Sequence, residues 1–241
     1  MTYLYAGLLG MALAVTVRIG LPGLPLLLAV AGLLVMRILR TLRRRDQDLE
    51  PRNDVERWIF GTCANWALYN CELTTGPAAA LEPNYERTPM LFGGRLGPYD
   101  SKEQRQYFLA MLDNPWDIHS RRELLKTVTY MSTGPGFQKC RTKADQAWEL
   151  CRCTQLLAIA FRLGWISRQD MVRRSCQVGR LIQRTFSGWQ EMSESFLASA
   201  LEWMGTEQGQ ELRRTIHRAL WLRPDSPYNL PWNMELNPDK A

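Results

Sequence analysis

From Tyr3 to Met36 the chain is apolar or small at every position except Thr16 and Arg18, and a soluble helix does not carry such a face all round. As one straight helix this stretch would be about 51 Å long at 1.5 Å per residue, well beyond a hydrocarbon core of roughly 30 Å. Two shorter runs fit better. "YLYAGLLGMALAVTV" and "LPLLLAVAGLLVM" flank "RIGLPG", where Gly20, Pro22, Gly23 and Pro25 supply the chain reversal. Arg18 can snorkel to the far interface, and the second run extends through Leu42 at the near one. A cleaved secretory signal is disfavoured, because no basic residue opens the chain and no small-x-small site precedes a mature domain.

The second run ends in "RILRTLRRR". By the positive-inside rule Arg37, Arg40, Arg43, Arg44 and Arg45 hold the downstream chain on the cytoplasmic side. The expectation is a transmembrane helical hairpin with its arginine cluster over 1–45, in contact with lipid through residues 3–42. It is followed by a linker over 46–54 and a domain over 55–241 that faces the cytoplasm from a bacterial inner membrane.

The net charge of +6 suggests nucleic acid only until its location is considered. Residues 1–45 hold six arginines and no lysine or acid, which leaves 24 basic residues against 24 acidic ones in the remainder. The downstream part is formally neutral, so no general attraction to DNA or RNA is expected. Its roughly 196 residues suffice for one domain with a substantial core. Cys63, Cys71, Cys140, Cys151, Cys153 and Cys176 are expected to be reduced, buried thiols on the cytoplasmic side. Cys151 and Cys153 lie two apart, hence on different faces of a helix, and His119 and His217 are the only histidines, so no metal site is expected.

Apolar periodicity predicts a first helix over Val55 to Leu73. Residues 74–100 then read "TTGPAAALEPNYERTPMLFGGRLGPYD", a long irregular loop of the kind associated with function. It is expected to border a partner-binding surface through Tyr85 and Phe92, with Gly93, Gly94 and Gly97 keeping a mobile tip. Ser120 with Glu123, Thr142 with Asp145, Ser167 with Asp170, and Ser187 with Gln190 have capping-box spacing and mark four helix starts. With helices near Lys102 to Leu112 and Glu207 to Trp221, the domain reads as all-α with about seven helices. On the helix over 168–186, Arg173, Arg180 and Arg184 fall opposite Val172, Val178, Leu181, Ile182 and Phe186. That stripe is either a solvated face or a grip for an acidic partner.

The segments "WDIHSRRELL", "AWELCRCTQLLAIAFRLGWIS", "IQRTFSGWQEMSESFLASALEW" and "SPYNLPW" resemble the bacterial family catalogued as domain of unknown function 1266. The resemblance rests on Trp116, Arg121 and Glu123; on Ala147, Trp148, Glu149, Leu150 and Arg152; on Gly164, Trp165, Ile166 and Ser167; on Ser187 and Trp189; and on Ser226, Pro227, Pro231 and Trp232. It extends over roughly residues 55 to 236 and implies a helical domain without bringing an activity or cofactor. Where related chains carry Gly-His-Arg after the first core helix, this one has "GPGFQ" over Gly134 to Gln138.

Catalysis lacks its usual parts, since the sequence has no P-loop, dinucleotide fingerprint, His-Glu-x-x-His or nucleophile elbow. The tryptophans fit core packing better than ligand stacking. The expected function is therefore a membrane-tethered module that binds a protein partner, with no cofactor, as an immunity or regulatory protein for a partner encoded nearby would. The alternative is a membrane-surface hydrolase or nuclease-like enzyme using Glu149, Arg152, Asp117 and Glu123. A third reading, a scaffold that oligomerises through Gly7 and Gly10 or Gly20 and Gly23, ranks last because those spacings are shorter than i,i+4.

Overall fold

The computed structural model describes residues 30–34, 49–72, 88, 90–94 and 102–240, with the backbone alone for 71, 72, 102–104 and 240. The chain divides into two compact units, Met1–Asp48 and Leu49–Ala241. In the first, residues 30–34 are helical. No helix among the described residues is long and apolar enough to cross a membrane. The rest of the expected hairpin, with Arg37, Arg40, Arg43, Arg44 and Arg45, lies outside the described residues, as does Tyr85.

The second unit is all-α. Its helices are α1 (Asp54–Glu72), α2 (Lys102–Trp116), α3 (Arg121–Ser132), α4 (Pro135–Gln138), α5 (Lys143–Arg162), α6 (Arg168–Thr185), α7 (Trp189–Trp203) and α8 (Glu207–Leu222). Two 3₁₀ turns follow, at Pro227–Asn229 and Pro238–Lys240. No strand occurs among the described residues. The helix beyond the expected seven is the short α4, formed by the "PGFQ" segment with Pro135 in its first turn, where the missing N–H costs nothing.

α5 is the axis of the unit. From Cys153 to Ala160 every residue is buried, so this helix is covered on all sides, by α1, α3, α6 and α7. α8 closes the assembly against α1 and α7. Both ends of α5 follow from sequence. Thr142 accepts from the Asp145 backbone at 3.0 Å while the Asp145 carboxylate accepts from the Thr142 backbone at 3.0 Å. At the other end Gly164 takes φ +72, with Gly164 N bonded to Phe161 O and Trp165 N to Ala160 O, both at 2.9 Å. That is the double bond pattern that stops a helix on a left-handed residue, and it aims the chain into α6.

The α7 start differs from its expectation. Gly188 is the cap without a side-chain bond, and the Glu191 carboxylate accepts from both the backbone and the hydroxyl of Ser187, at 2.6 and 2.8 Å. Gln190 instead reaches forward to Glu194. Gln190 is exposed and the helix starts at Trp189, so the residue that reaches back is one position later than the four-residue spacing suggests.

Two further expectations are corrected by burial. Residues 49–53, placed in the linker, belong to the helical unit: Phe92 N donates to Leu49 O at 3.1 Å, and Arg168 donates to Glu50 O at 2.6 Å. The 90–94 segment is core rather than a mobile tip. Leu91 and Phe92 are buried, Phe92 packs edge-on to Phe60 at 5.6 Å, and the Arg168 guanidinium lies 5.7 Å from its ring. Gly94 has φ +90, and a Cβ there would stand 2.4 Å from Ala67 O, so the segment is pressed onto α1. Leu91 and Phe92 are given over to the domain core, and a fully buried Phe92 has no surface to offer a partner.

Candidate functional site

Two aromatic clusters lie at different places on the unit. The first joins Trp58 on α1, Trp189 on α7, and Tyr228 and Trp232 after α8, with Trp58 to Trp189 at 4.8 Å and Trp189 to Trp232 at 5.0 Å. Its indole N–H groups are satisfied, Trp58 Nε1 donating to Trp232 O at 3.2 Å and Trp189 Nε1 to Leu230 O at 2.9 Å. Gln183 adds donors to Trp232 O and Met234 O, and Arg180 one to Leu236 O at 2.6 Å. The C-terminal segment is thereby strapped over α1, α6 and α7.

The second cluster is a ladder of rings and guanidinium groups. Arg152 on α5 lies between Trp116 (4.7 Å) and Trp148 (4.8 Å). Trp148 meets Phe196 at 5.7 Å, Trp66 at 5.4 Å and Trp203 at 5.8 Å. Trp66 in turn covers Arg213 of α8 at 4.1 Å, and Tyr69 covers the same guanidinium at 3.7 Å. At such distances and partial burial each cation–π contact contributes on the order of 1–2 kcal/mol. The ladder reaches the surface at Trp203, which is 57% exposed although it ends a helix packed against the core.

The expected site residues fall into separate places. Glu149 and Arg152 form an i,i+3 ion pair, each side chain 19% exposed, and the Arg152 Nε donates to Trp148 O at 3.2 Å. Burial pulls the Arg152 pKa down while Glu149 opposes it, so the carboxylate acts as counterion to a stacked cation. Asp117 and Glu123 belong to the turn between α2 and α3. Asp117, held at φ +52, binds His119 Nε2 at 2.8 Å, and Asp113 faces Nδ1 at 3.3 Å. The hydrogen bond to Asp117 raises the His119 pKa. Glu123 accepts from the His119 backbone at 2.8 Å, which lowers its own pKa. A hollow of about 310 Å³ beside this turn is lined by Leu109, Asp113, Ile118 and His119, and none of the four candidate residues lines it.

The α6 arginines divide. Arg173 pairs with Asp170 on its own helix, Arg180 is spent on the C-terminal strap, and Arg184 is exposed. All three are exposed, as a solvent-facing stripe requires, with Arg180 also holding the C-terminal strap.

Of three further features, His217 and Arg213 escaped sequence reasoning, whereas the buried thiols were expected. One is His217, whose Nε2 lies 3.3 Å from Ser193 Oγ. Burial lowers the histidine pKa, but Ser193 is buried and directs its hydroxyl to Gln190 O, so the contact is a packing bond rather than a primed nucleophile. The second is the state of the thiols: burial pushes Cys63 up to about 12 and Cys176 up to about 11, and raises Cys151 and Cys153 further, which removes them as thiolate nucleophiles. The third is Arg213, fully buried on the apolar side of α8 with Ile216 and Leu220. An arginine three and seven positions before two core residues was a readable sign.

No curated protein and no solved structure matches the chain. A family model does, over a narrower stretch than the resemblance covered: it takes in α4 to α8 and ends in the strap at Trp232, while the first three helices lie outside it. Residues 135–232 match the family described as "Protein of unknown function (DUF1266)".

Proposed function

We propose that the helical unit is a protein-binding module, that residues 1–45 tether it to a bacterial inner membrane with the unit facing the cytoplasm, and that it serves as an immunity or regulatory protein for a partner encoded nearby. The observation that carries the binding role is Trp203. A large indole left 57% exposed, packed edge-on to the half-buried Trp66, is the kind of side chain that anchors binding hot spots, where tryptophan and tyrosine are enriched. The tether rests on the apolar stretch 3–36 and the arginines that follow it.

The enzymatic alternative has less to stand on. Glu149 is occupied by Arg152, and Asp117 and Glu123 hold a solvent-exposed turn, so these groups do not converge on a shared hollow. The test uses the intact tagged chain, captured with detergent from the membrane fraction. The expected result is a stoichiometric protein partner that the wild type retains and Trp203→Ala loses at unchanged circular dichroism. Absence of the chain from the membrane fraction removes the tether. A partner held equally by Trp203→Ala removes this surface.

A further inference from the structure

Arg213 is 0% exposed, and its Nη1 is taken up by Asn65, donating to Oδ1 at 2.8 Å and to the backbone oxygen at 3.3 Å. It forms no ion pair among the described residues, and its Nε and Nη2 have no hydrogen-bond partner. These two are the neighbouring, parallel N–H groups of the guanidinium fork, the edge with which arginine takes a carboxylate two-point. Around the same guanidinium Trp66 Nε1 and Asn65 Nδ2 are also buried without acceptors. Four donor nitrogens, two on the buried cation and two beside it, are therefore unspent among the described residues, whereas buried polar groups in folded proteins are almost always paired.

We propose that Arg213, with Asn65 and Trp66, forms a carboxylate-binding site inside the α1–α7–α8 corner. A carboxylate has two oxygens with about four lone-pair positions, enough to accept one hydrogen bond from each of the four donor nitrogens. It also neutralises a buried charge that has no ion pair among the described residues. In keeping with this, burial presses the Arg213 pKa down to about 9. The inference concerns the helical unit alone and holds whether or not Trp203 binds a protein.

The four nitrogens are sealed in this structure, so the corner opens for entry. Its closure is weak. Tyr69 Oη donates to Met204 Sδ at 3.9 Å, and Gln210 Nε2 holds Leu201 O and Met204 O from the first turns of α8. Trp203 lies directly before Met204 and covers Trp66 at 5.9 Å. Movement of the 203–206 segment uncovers Tyr69 and Trp66, and with them the fork.

The test follows thermal unfolding and tryptophan fluorescence of the full chain during titration with acetate, N-acetyl-leucine, N-acetyl-leucinamide and phosphate, with chloride holding the ionic strength. Both carboxylates are expected to raise the melting temperature saturably and to change the fluorescence, while the amide does neither. Half-saturation by N-acetyl-leucine about tenfold or more below that of acetate identifies a peptide carboxylate as the source, because the apolar side chain then adds contact with the rings. Equal half-saturation identifies a small organic acid. Arg213→Met is expected to abolish the response, and Arg213→Lys, which keeps the charge without the fork, to weaken it about tenfold or more. Should Arg213→Met fail to fold, Arg213→Lys and the fluorescence of the wild type decide. No carboxylate-specific response, a stronger response to phosphate, or an unweakened Arg213→Lys overturns the proposal.

Discussion

The two tryptophan clusters use the same residue type to opposite ends. Under the C-terminal strap, Trp58 and Trp189 are buried and both indole N–H groups end on backbone carbonyls. In the ladder, Trp203 is more than half exposed, and among the described residues Trp66 Nε1 has no acceptor and the guanidinium beneath the rings no counterion. The distinction between scaffold and site thus lies in whether polar edges are satisfied rather than in how many rings are stacked. A satisfied cluster is finished by folding; an unsatisfied one still has interactions to make.

The comparison breaks first if the strapped cluster is not the structural one. Trp58→Ala removes a fully buried indole and is expected to cost about 3–5 kcal/mol, the range for large aromatic deletions in cores. Denaturant unfolding measures this, and Trp203→Ala should cost about 1 kcal/mol or less in the same assay. Equal losses would erase the distinction. A middle-sized effect tests the ladder's inner rung. Glu149→Gln leaves the stacked Arg152 without its charge partner and should lower stability by about 1–3 kcal/mol, and Arg152→Met introduced beside it should recover part of that loss. A double-mutant cycle reads the coupling, and additive effects would show that the pair is only a surface contact.

The smallest effect is in pH, where the two histidines have opposite signs. Burial lowers the folded pKa of His217, so its neutral form supports the fold above the unfolded value near 6.5, and this support is lost as pH falls below it. Asp117 raises the folded pKa of His119, so its contribution is full below the unfolded value and disappears as pH rises through the raised one. Melting temperatures between pH 5 and pH 8 should therefore flatten at the acidic side in His217→Gln and at the upper side in His119→Gln. Slopes that change in the same direction would show that one of these environments is misassigned.

The helical class and most helix starts were legible because they depend on local chemistry. Thr142 with Asp145 and the Gly164 stop act within one turn, so their spacing alone specifies them. The failures share a cause at longer range. Phe92 lay in a stretch with no period, and its burial depends on Phe60 and Arg168, neither of which is near in sequence. Arg180 does belong to an exposed stripe, but helical phase does not reveal that Leu236 returns to accept a hydrogen bond from it. Arg213 was hidden for the opposite reason: charge suggests a surface, yet its phase on α8 is that of Ile216 and Leu220. The site was thus less readable than the scaffold, since what marks it is the absence of partners that only the packed structure can reveal.

The strap has a consequence for biosynthesis. Trp58 is translated early, but the carbonyl that satisfies its indole belongs to Trp232, 174 positions later. A ribosome adding about 5–20 residues per second needs roughly 10–35 seconds to make the second after the first. Throughout that interval α1 lacks one of its principal covers, so the unit closes only once synthesis has passed the strap. Chains cut short before residue 230 would keep Trp58 and Trp189 unpaired together, and cellular proteases would meet them as open molecules. Burial of the first core tryptophan thus waits on the last stretch of the chain.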